Sequence, residues 1–296
     1  MNNRLLGLLL VALLGLSACG GGDAPTPATG ETGSRFGGAF ADAEAYPVFA
    51  SSEIVVGENR FLVGLLDSND APIGSADIDM HIEFYDLAES ETESAFGTDM
   101  EFIETIPGGR GLYMARATFD SAGSWGAEVS VTGDGLDETV NASFDVAEQG
   151  TTPAIGARAP ASDTPTGEEV KDLSEISTDE HPDPDFYRMS VDEALAANEP
   201  FVLTFATPKF CTSAVCAPTL NIVKRASKDF PAVTFIHVEP YDNLDDPSNL
   251  KPTKAVREWG LPSEPWVFVV DAKGRVVAKY EGTVTERELA TALKGL

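Results

Sequence analysis

Phe201-Val-Leu-Thr-Phe-Ala-Thr-Pro-Lys-Phe-Cys211-Thr-Ser-Ala-Val-Cys216-Ala-Pro218 is the stretch around which the second half of the chain is read. Residues 201–206 are an apolar run with the length and the β-branched and aromatic make-up of a buried strand. The run breaks at Pro208, sets a cysteine behind Phe210, and passes into a pattern in which Leu220, Val223, Ala226 and Phe230 recur at helical spacing. A cysteine between a strand's C-terminal end and a helix's first turn meets unpaired backbone N–H groups and the positive end of the helix dipole. Both favour an anion, so the placement lowers a thiol pKa and makes Cys211 a candidate nucleophile with Cys216 as its partner. The same two residues also fit a structural disulfide or a pair of buried thiols. Five residues along an intact helix rise by about 7.5 Å, more than the roughly 4.4–6.8 Å a disulfide spans between Cα atoms. Cys211 therefore belongs in the loop ahead of the helix, or the first turn must unwind on oxidation. Pro218 favours the loop, because proline is best tolerated in a helix's first turn.

Residues 1–18 read as an export signal: Arg4 supplies the basic start and Leu5 to Leu16 the apolar core. That core is too short to span a bilayer, which takes about 20 residues. Leu16-Ser-Ala-Cys19, followed by three glycines, resembles the lipobox of bacterial lipoproteins. The resemblance implies cleavage before Cys19, lipid on its sulfur, and anchoring at the extracytoplasmic face of the cell membrane. Cys211 and Cys216 are then the only other cysteines, in a compartment where disulfides persist. The chain carries 48 acidic and 20 basic residues, a formal net charge of −28. That charge repels a phosphate backbone and excludes nucleic acid as a partner.

Residues 19–45, rich in Gly, Ala, Thr and Pro, are expected to form a flexible tether. Strict alternation begins near residue 46: Ile78, Met80, Ile82 and Phe84 share one face, as do Trp125, Ala127, Val129 and Val131, and Val140, Ala142, Phe144 and Val146. One apolar face with period two implies antiparallel sheets on a shared core, hence a small β-sandwich over residues 46–147. The portion from Gly111-Leu-Tyr to Ala122-Gly-Ser-Trp-Gly resembles immunoglobulin-like sandwiches of the FixH/YtkA group. Met80, His81, Met100 and Met114 do not suggest a metal site, since Met80 and His81 are adjacent and point to opposite faces. Residues 148–185, with Pro, Ser, Thr and acids, read as a mostly irregular linker.

From 186 to 296 the expected order is helix, strand, the cysteine helix, strand, short helix, hairpin and final helix. Ser190 with Glu193 and Thr285 with Glu288 are capping boxes, and Val284 with Leu289 a hydrophobic staple. This order resembles the thioredoxin-like fold, closest to membrane-tethered TlpA-like proteins. The expected fold class is thus an all-β immunoglobulin-like sandwich followed by an α/β thioredoxin-like domain. The resemblance implies that a proline ahead of the third strand, Pro265 or else Pro262, is cis and faces the reactive sulfur, and that the backbone of Glu264 pairs with an extended substrate. Glu239 and His237, two apart on one side of a strand, are candidates for proton transfer. Cys-x4-Cys departs from the Cys-x-x-Cys of thioredoxins. Cys211-Thr-x-x-x-Cys216 is also the pattern of peroxiredoxin Q, although the threonine expected three residues before the peroxiredoxin cysteine is replaced by Pro208. Sco-type copper proteins carry a one-residue-shorter spacing and a distant histidine, whereas His237 lies inside a strand. The expectation is thiol–disulfide exchange with protein thiols or disulfides of the cell envelope, without cofactor or metal. A thiol peroxidase, and a non-catalytic binding or assembly lipoprotein with a structural disulfide, are the alternatives.

Overall fold

A computed structural model of the chain describes residues 34–37, 43–106 and 108–296; Cys19 and the leader lie outside the described residues. Residues 34–296 form one compact unit. Seven strands come first: β1 (Ala45–Phe49), β2 (Gly57–Asp67), β3 (Asp79–Asp86), β4 (Phe96–Ile106), β5 (Arg110–Phe119), β6 (Gly123–Gly133) and β7 (Leu136–Val146). All their pairings are antiparallel, in the order β1-β2-β5-β4-β3-β6-β7. Strand β4 makes this a sandwich by changing partner partway along. Its first half, Phe96 to Met100, pairs with β3, and its second half, from Glu101, pairs with β5. A parallel bridge between Val55 and Ala147 ties the two outer edges. The alternating apolar residues fill the space between, where Phe61, Phe84, Phe119 and Trp125 are essentially unexposed. Phe84 meets Phe119 edge-on at 5.3 Å, and Phe119 meets Trp125 at 4.9 Å. Met80 and Met100 are cross-strand partners inside this core, which accounts for both without a metal.

The rest of the unit is built on a four-stranded mixed sheet. Its elements are α1 (Val191–Ala197), β8 (Phe201–Phe205), α2 (Cys216–Asp229), β9 (Thr234–Val238), the two-residue ribbon β10 (Tyr241–Asp242) and β11 (Lys251–Pro252), α3 (Lys254–Glu258), β12 (Trp266–Val270), β13 (Val276–Glu281) and α4 (Glu286–Leu293). The sheet order is β13-β12-β8-β9, with β9 parallel to β8 and both other pairings antiparallel. One face packs on α1, α3 and Trp259, the other on α2 and α4. Both capping boxes form, at Ser190/Glu193 and Thr285/Glu288. Residues 148–185 carry only a short 3-10 turn, Leu173–Glu175, and reach the start of a second, Pro184–Tyr187. Their polar residues hold them down: Ser162, Thr164 and Ser177 are buried, and Ala157 and Ala159 hydrogen-bond to the β13 hairpin. Trp125 and Trp266 belong to separate apolar clusters.

The expected fold class is corrected in its second half. The described chain is 38% strand and 17% helix, so its class is predominantly β and the thioredoxin-like α/β assignment is not carried forward. Three of the four α-helices have eight residues or fewer. Helices that short do not stand alone and depend on the sheet beneath them. Capped helix starts are legible in the sequence, but they say nothing of how little helix follows.

Sandwich and mixed sheet meet through charge. The Arg60 side chain from β2 and the Glu288 side chain from α4 are 8% and 7% exposed. They form a two-pronged pair, Nε to Oε1 at 2.7 Å and Nη2 to Oε2 at 3.0 Å. Burial pushes the Glu288 carboxyl up, but the Arg60 hydrogen bond and charge outweigh it and hold the carboxyl below its usual range. Nearby, Lys279 bonds to Glu53 at 2.6 Å, and Glu53 also accepts the N–H groups of Thr151 and Thr152. Glu288→Ala would strand a buried guanidinium, and urea denaturation should register a loss of about 3–5 kcal/mol. A double change, Arg60→Met with Glu288→Met, should recover much of that loss; a single-mutant cost under about 1 kcal/mol would show the pair to be solvated.

Candidate functional site

Strand β8 is buried along its whole length, and its C-terminal end sets the position of everything that follows. The chain leaves it through Ala206 and Thr207, both fully buried. The Thr207 carbonyl accepts the N–H groups of Phe210 at 3.3 Å and Cys211 at 3.0 Å, folding the loop back on the strand end. Cys211 lies in that loop, Cys216 is the first residue of α2, and the two are joined by a disulfide with Cα atoms 6.0 Å apart. Of the two alternatives left by the helix-rise argument, the loop placement is the one observed. Ala214, between the cysteines, has φ of 60°, a left-handed conformation that an L side chain resists by about 1 kcal/mol or more.

The two sulfurs have different surroundings. Cys216 is fully buried among Val202, Leu220 and Val223, whereas Cys211 is partly exposed. Helix α2 has Val215 at its N-cap and no side-chain cap. Instead, the Cys216 N–H donates to Cys211 Sγ at 3.3 Å, and the Ser213 hydroxyl lies 3.3 Å from the same sulfur. Pro218 removes one of the N–H groups that would otherwise be left unpaired in this first turn. On reduction, a thiolate at Cys211 would sit at the positive end of a 14-residue helix with one backbone donor already aimed at it.

Beneath the loop lies Glu239, just past the end of β9 and 5% exposed. Its carboxylate accepts the Thr178 N–H at 2.9 Å and the Thr178 hydroxyl at 3.0 Å. The Thr178 hydroxyl oxygen also accepts the Lys209 N–H at 3.2 Å, linking the acid to the cysteine loop. Burial raises the Glu239 pKa to about 7, against the lowering effect of the nearby Thr207 hydroxyl and of its hydrogen bonds from Thr178. The Thr207 hydroxyl is close enough to exert that effect, yet it makes no hydrogen bond of good geometry.

His237 is placed differently. Nε2 pairs with the Ala206 carbonyl at 2.9 Å and Nδ1 with the Tyr187 hydroxyl at 2.6 Å. A neutral ring with Nε2 protonated satisfies both, the tyrosine donating to Nδ1 and the carbonyl accepting. Burial lowers the His237 pKa to about 4, so the imidazole is held neutral with both nitrogens occupied. It secures the end of β8, and of the two proton-transfer candidates Glu239 is the one with a carboxyl free to change charge near the loop.

The Glu264–Pro265 peptide bond is cis, and Pro265 is buried ahead of β12. Glu264 accepts a 3.0 Å hydrogen bond from the Tyr241 hydroxyl. It lines a cavity of about 570 Å³ together with Thr212, Ser213 and Val215 of the cysteine loop. The structure thus brings Cys211, Cys216, Glu239 and Glu264 to one end of the mixed sheet. Sequence reasoning missed Thr178 and Ser213. Ser213 lay within the quoted stretch and was legible; Thr178 reaches Glu239 across 61 residues and had no local signal. Among the described residues no cluster of metal-binding side chains occurs, and no helix is long and apolar enough to cross a membrane.

No family model matches the chain, and no curated protein matches it. Solved structures similar to it include a DUF4426 family protein from Pseudomonas aeruginosa, at 10% identity and TM-score 0.25, covering 36% of this chain and 90% of that one. The PKD domain of an M14-like peptidase from a Thermoplasmatales archaeon is 15% identical at TM-score 0.21, covering 35% and 90%. The Lin-41 filamin domain is 13% identical at TM-score 0.21, covering 36% and 94%. At these values the likenesses carry no argument about activity. The resemblances to thioredoxin-like families, TlpA-like and peroxiredoxin Q-like, and to the FixH/YtkA group are corrected: no family model supports them, and the described chain is mostly strand, 38% against 17% helix. The thioredoxin-like resemblance rested on element order and the FixH/YtkA one on a short stretch, and the Cys-x4-Cys spacing already departed from the thioredoxin pattern. The coarser description of the first half as an antiparallel β-sandwich stands.

Glu239→Gln should separate the acid's charge from its hydrogen bonds. A carboxyl whose folded pKa is raised favours the folded state fully below its unfolded value near 4.5 and loses that contribution as pH rises through about 7. The variant should therefore exceed the wild type in stability at pH 8, by up to about 3 kcal/mol, and match it near pH 4.5. Equal thermal midpoints at both pH values would show that Glu239 is solvated.

Proposed function

We propose that this protein is a membrane-anchored extracytoplasmic thiol–disulfide oxidoreductase working through Cys211 and Cys216. One observation carries the reading. The disulfide joins a partly exposed sulfur, which accepts a backbone N–H at an uncapped helix N-terminus, to a fully buried one. Exchange needs one accessible sulfur, stabilised as a thiolate, and one resolving sulfur shielded from solvent, and this pair supplies both. In the oxidised form, a partner thiolate attacks Cys211 Sγ; the Cys211–Cys216 bond breaks and Cys216 leaves as a thiolate that takes up a proton. A second partner thiolate then attacks the mixed disulfide, and the partner departs oxidised while Cys211 is released. The reverse sequence, opened by Cys211 thiolate on a partner disulfide, reduces the partner by the same two electrons. Glu239, with its carboxyl near neutrality and linked through Thr178 to the Lys209 N–H of the cysteine loop, is the group in this reading that exchanges a proton with the reacting pair.

The anchoring half of the proposal rests on Leu16-Ser-Ala-Cys19. Lipid on Cys19 would hold the exchange site at the membrane, facing the cell envelope. Mass spectrometry of the native N-terminus should find Cys19 first and acylated; a mature chain that starts at an unmodified residue further on would rule out the anchor.

In the reduced protein, Cys211 should alkylate faster than Cys216 and with a pKa below the usual value of about 8.5. Cys216→Ser should trap a mixed disulfide through Cys211, and Cys211→Ser should trap none. A reduction potential below about −300 mV would make the bond a structural staple instead. Oxidation of Cys211 by peroxide much faster than by disulfides would replace exchange with a thiol peroxidase.

A further inference from the structure

The cavity beside the cysteine loop is not closed by the mixed sheet alone. Ser213, whose hydroxyl lies 3.3 Å from Cys211 Sγ, lines it together with Val215, Glu264 and Glu281. The opposite wall is the start of β5, Arg110 and Leu112, in the sandwich. The described residues on either side of that hairpin's tip are braced within the sandwich. Glu104 accepts the N–H groups of Gly108 and Gly109 at 3.0 Å each. Gly111 passes so close to β4 that a Cβ would lie 2.2 Å from the Ile103 carbonyl oxygen. Leu112 packs against the cluster of Leu62, Ile103 and Met114. A polypeptide approaching Cys211 from this side must therefore touch the sandwich.

The charges in the cavity are not equally satisfied. Glu264 has the Tyr241 hydroxyl as donor, and Glu281 has the Ser52 N–H at 2.9 Å and the Ser263 hydroxyl at 2.8 Å. The Arg110 guanidinium has no hydrogen-bond or ion-pair partner among the described residues, and it is exposed. A guanidinium offers paired donors that match a carboxylate. We propose that the β4–β5 hairpin is the second wall of the exchange site, selecting partner polypeptides with a carboxylate side chain and an apolar side chain beside the reacting cysteine. Arg110 takes the carboxylate, and Leu112 with Val215 takes the apolar group. The proposal rests on the exchange reading above and assigns the sandwich a part in specificity.

Stopped-flow reduction of the full-length oxidised protein tests it, with dithiothreitol and with dithiol peptides that differ only in Asp or Lys beside a Leu-Cys pair. The wild type should prefer the Asp peptide several-fold. Arg110→Gln should erase that preference and Arg110→Glu should reverse it, while dithiothreitol rates stay within about twofold for all three. Leu112→Ser should slow both peptides without altering their ratio. An Asp/Lys ratio unchanged by Arg110→Glu, with dithiothreitol still reacting, overturns the second wall and leaves exchange standing. A disulfide that neither dithiothreitol nor any peptide reduces overturns the exchange reading and this proposal with it.

Discussion

Strand β8 is hydrogen-bonded on both edges, to β9 in parallel and to β12 antiparallel, and each of its residues from Phe201 to Phe205 is fully buried. A strand in that position cannot shift register by one residue without moving its whole side-chain set to the opposite face, so its C-terminal end is fixed. Fixing that end fixes Thr207, whose carbonyl anchors Cys211, and Ala206, whose carbonyl takes the His237 ring. The parallel partner β9 delivers Glu239 to the same edge, and the antiparallel partner β12 begins there, behind Pro265. The candidate site is thus set by sheet pairing, with the cysteine loop, Thr178 and Glu264 supplied by irregular segments at the ends of those strands.

Two buried glutamates show how environment, rather than residue type, decides charge. Both lose solvation, which pushes a carboxyl up. Glu288 faces a guanidinium at 2.7 Å and remains ionised, serving as the tie between α4 and the sandwich. Glu239 has only neutral donors, the Thr178 N–H and hydroxyl, and its pKa comes to rest near neutrality. The first is suited to holding surfaces together and the second to changing charge. The pair also places the sandwich: Arg60 belongs to β2, so the contact that secures α4 brings the β4–β5 hairpin towards the cysteine loop.

Local chemistry was legible wherever the deciding interactions are close in sequence. Alternation in β3, β6 and β7 gave the sandwich face, because a strand's side chains alternate whatever their partner. The Ser190/Glu193 and Thr285/Glu288 boxes were readable because both partners lie within one turn. Pro218 pointed to Cys211 outside the helix. The thioredoxin-like assignment failed at the level of class and family. It was assembled from element order and short motifs, neither of which measures how much strand or helix the chain finally makes.

By itself, then, the sequence determined the alternating faces of β3, β6 and β7, the capped starts of α1 and α4, and the cysteine pair at the junction of a strand and a helix. These depend on periodicity and on groups a few residues apart. Only the tertiary structure decided which sulfur is exposed, that Glu239 is held near neutrality while His237 is locked, and that the sandwich walls the cavity beside the loop. Each of those depends on burial or on contacts spanning tens to hundreds of residues, such as Thr178 with Glu239 and Arg60 with Glu288. Desolvation is a property of the packed chain, and no pattern along the sequence carries it.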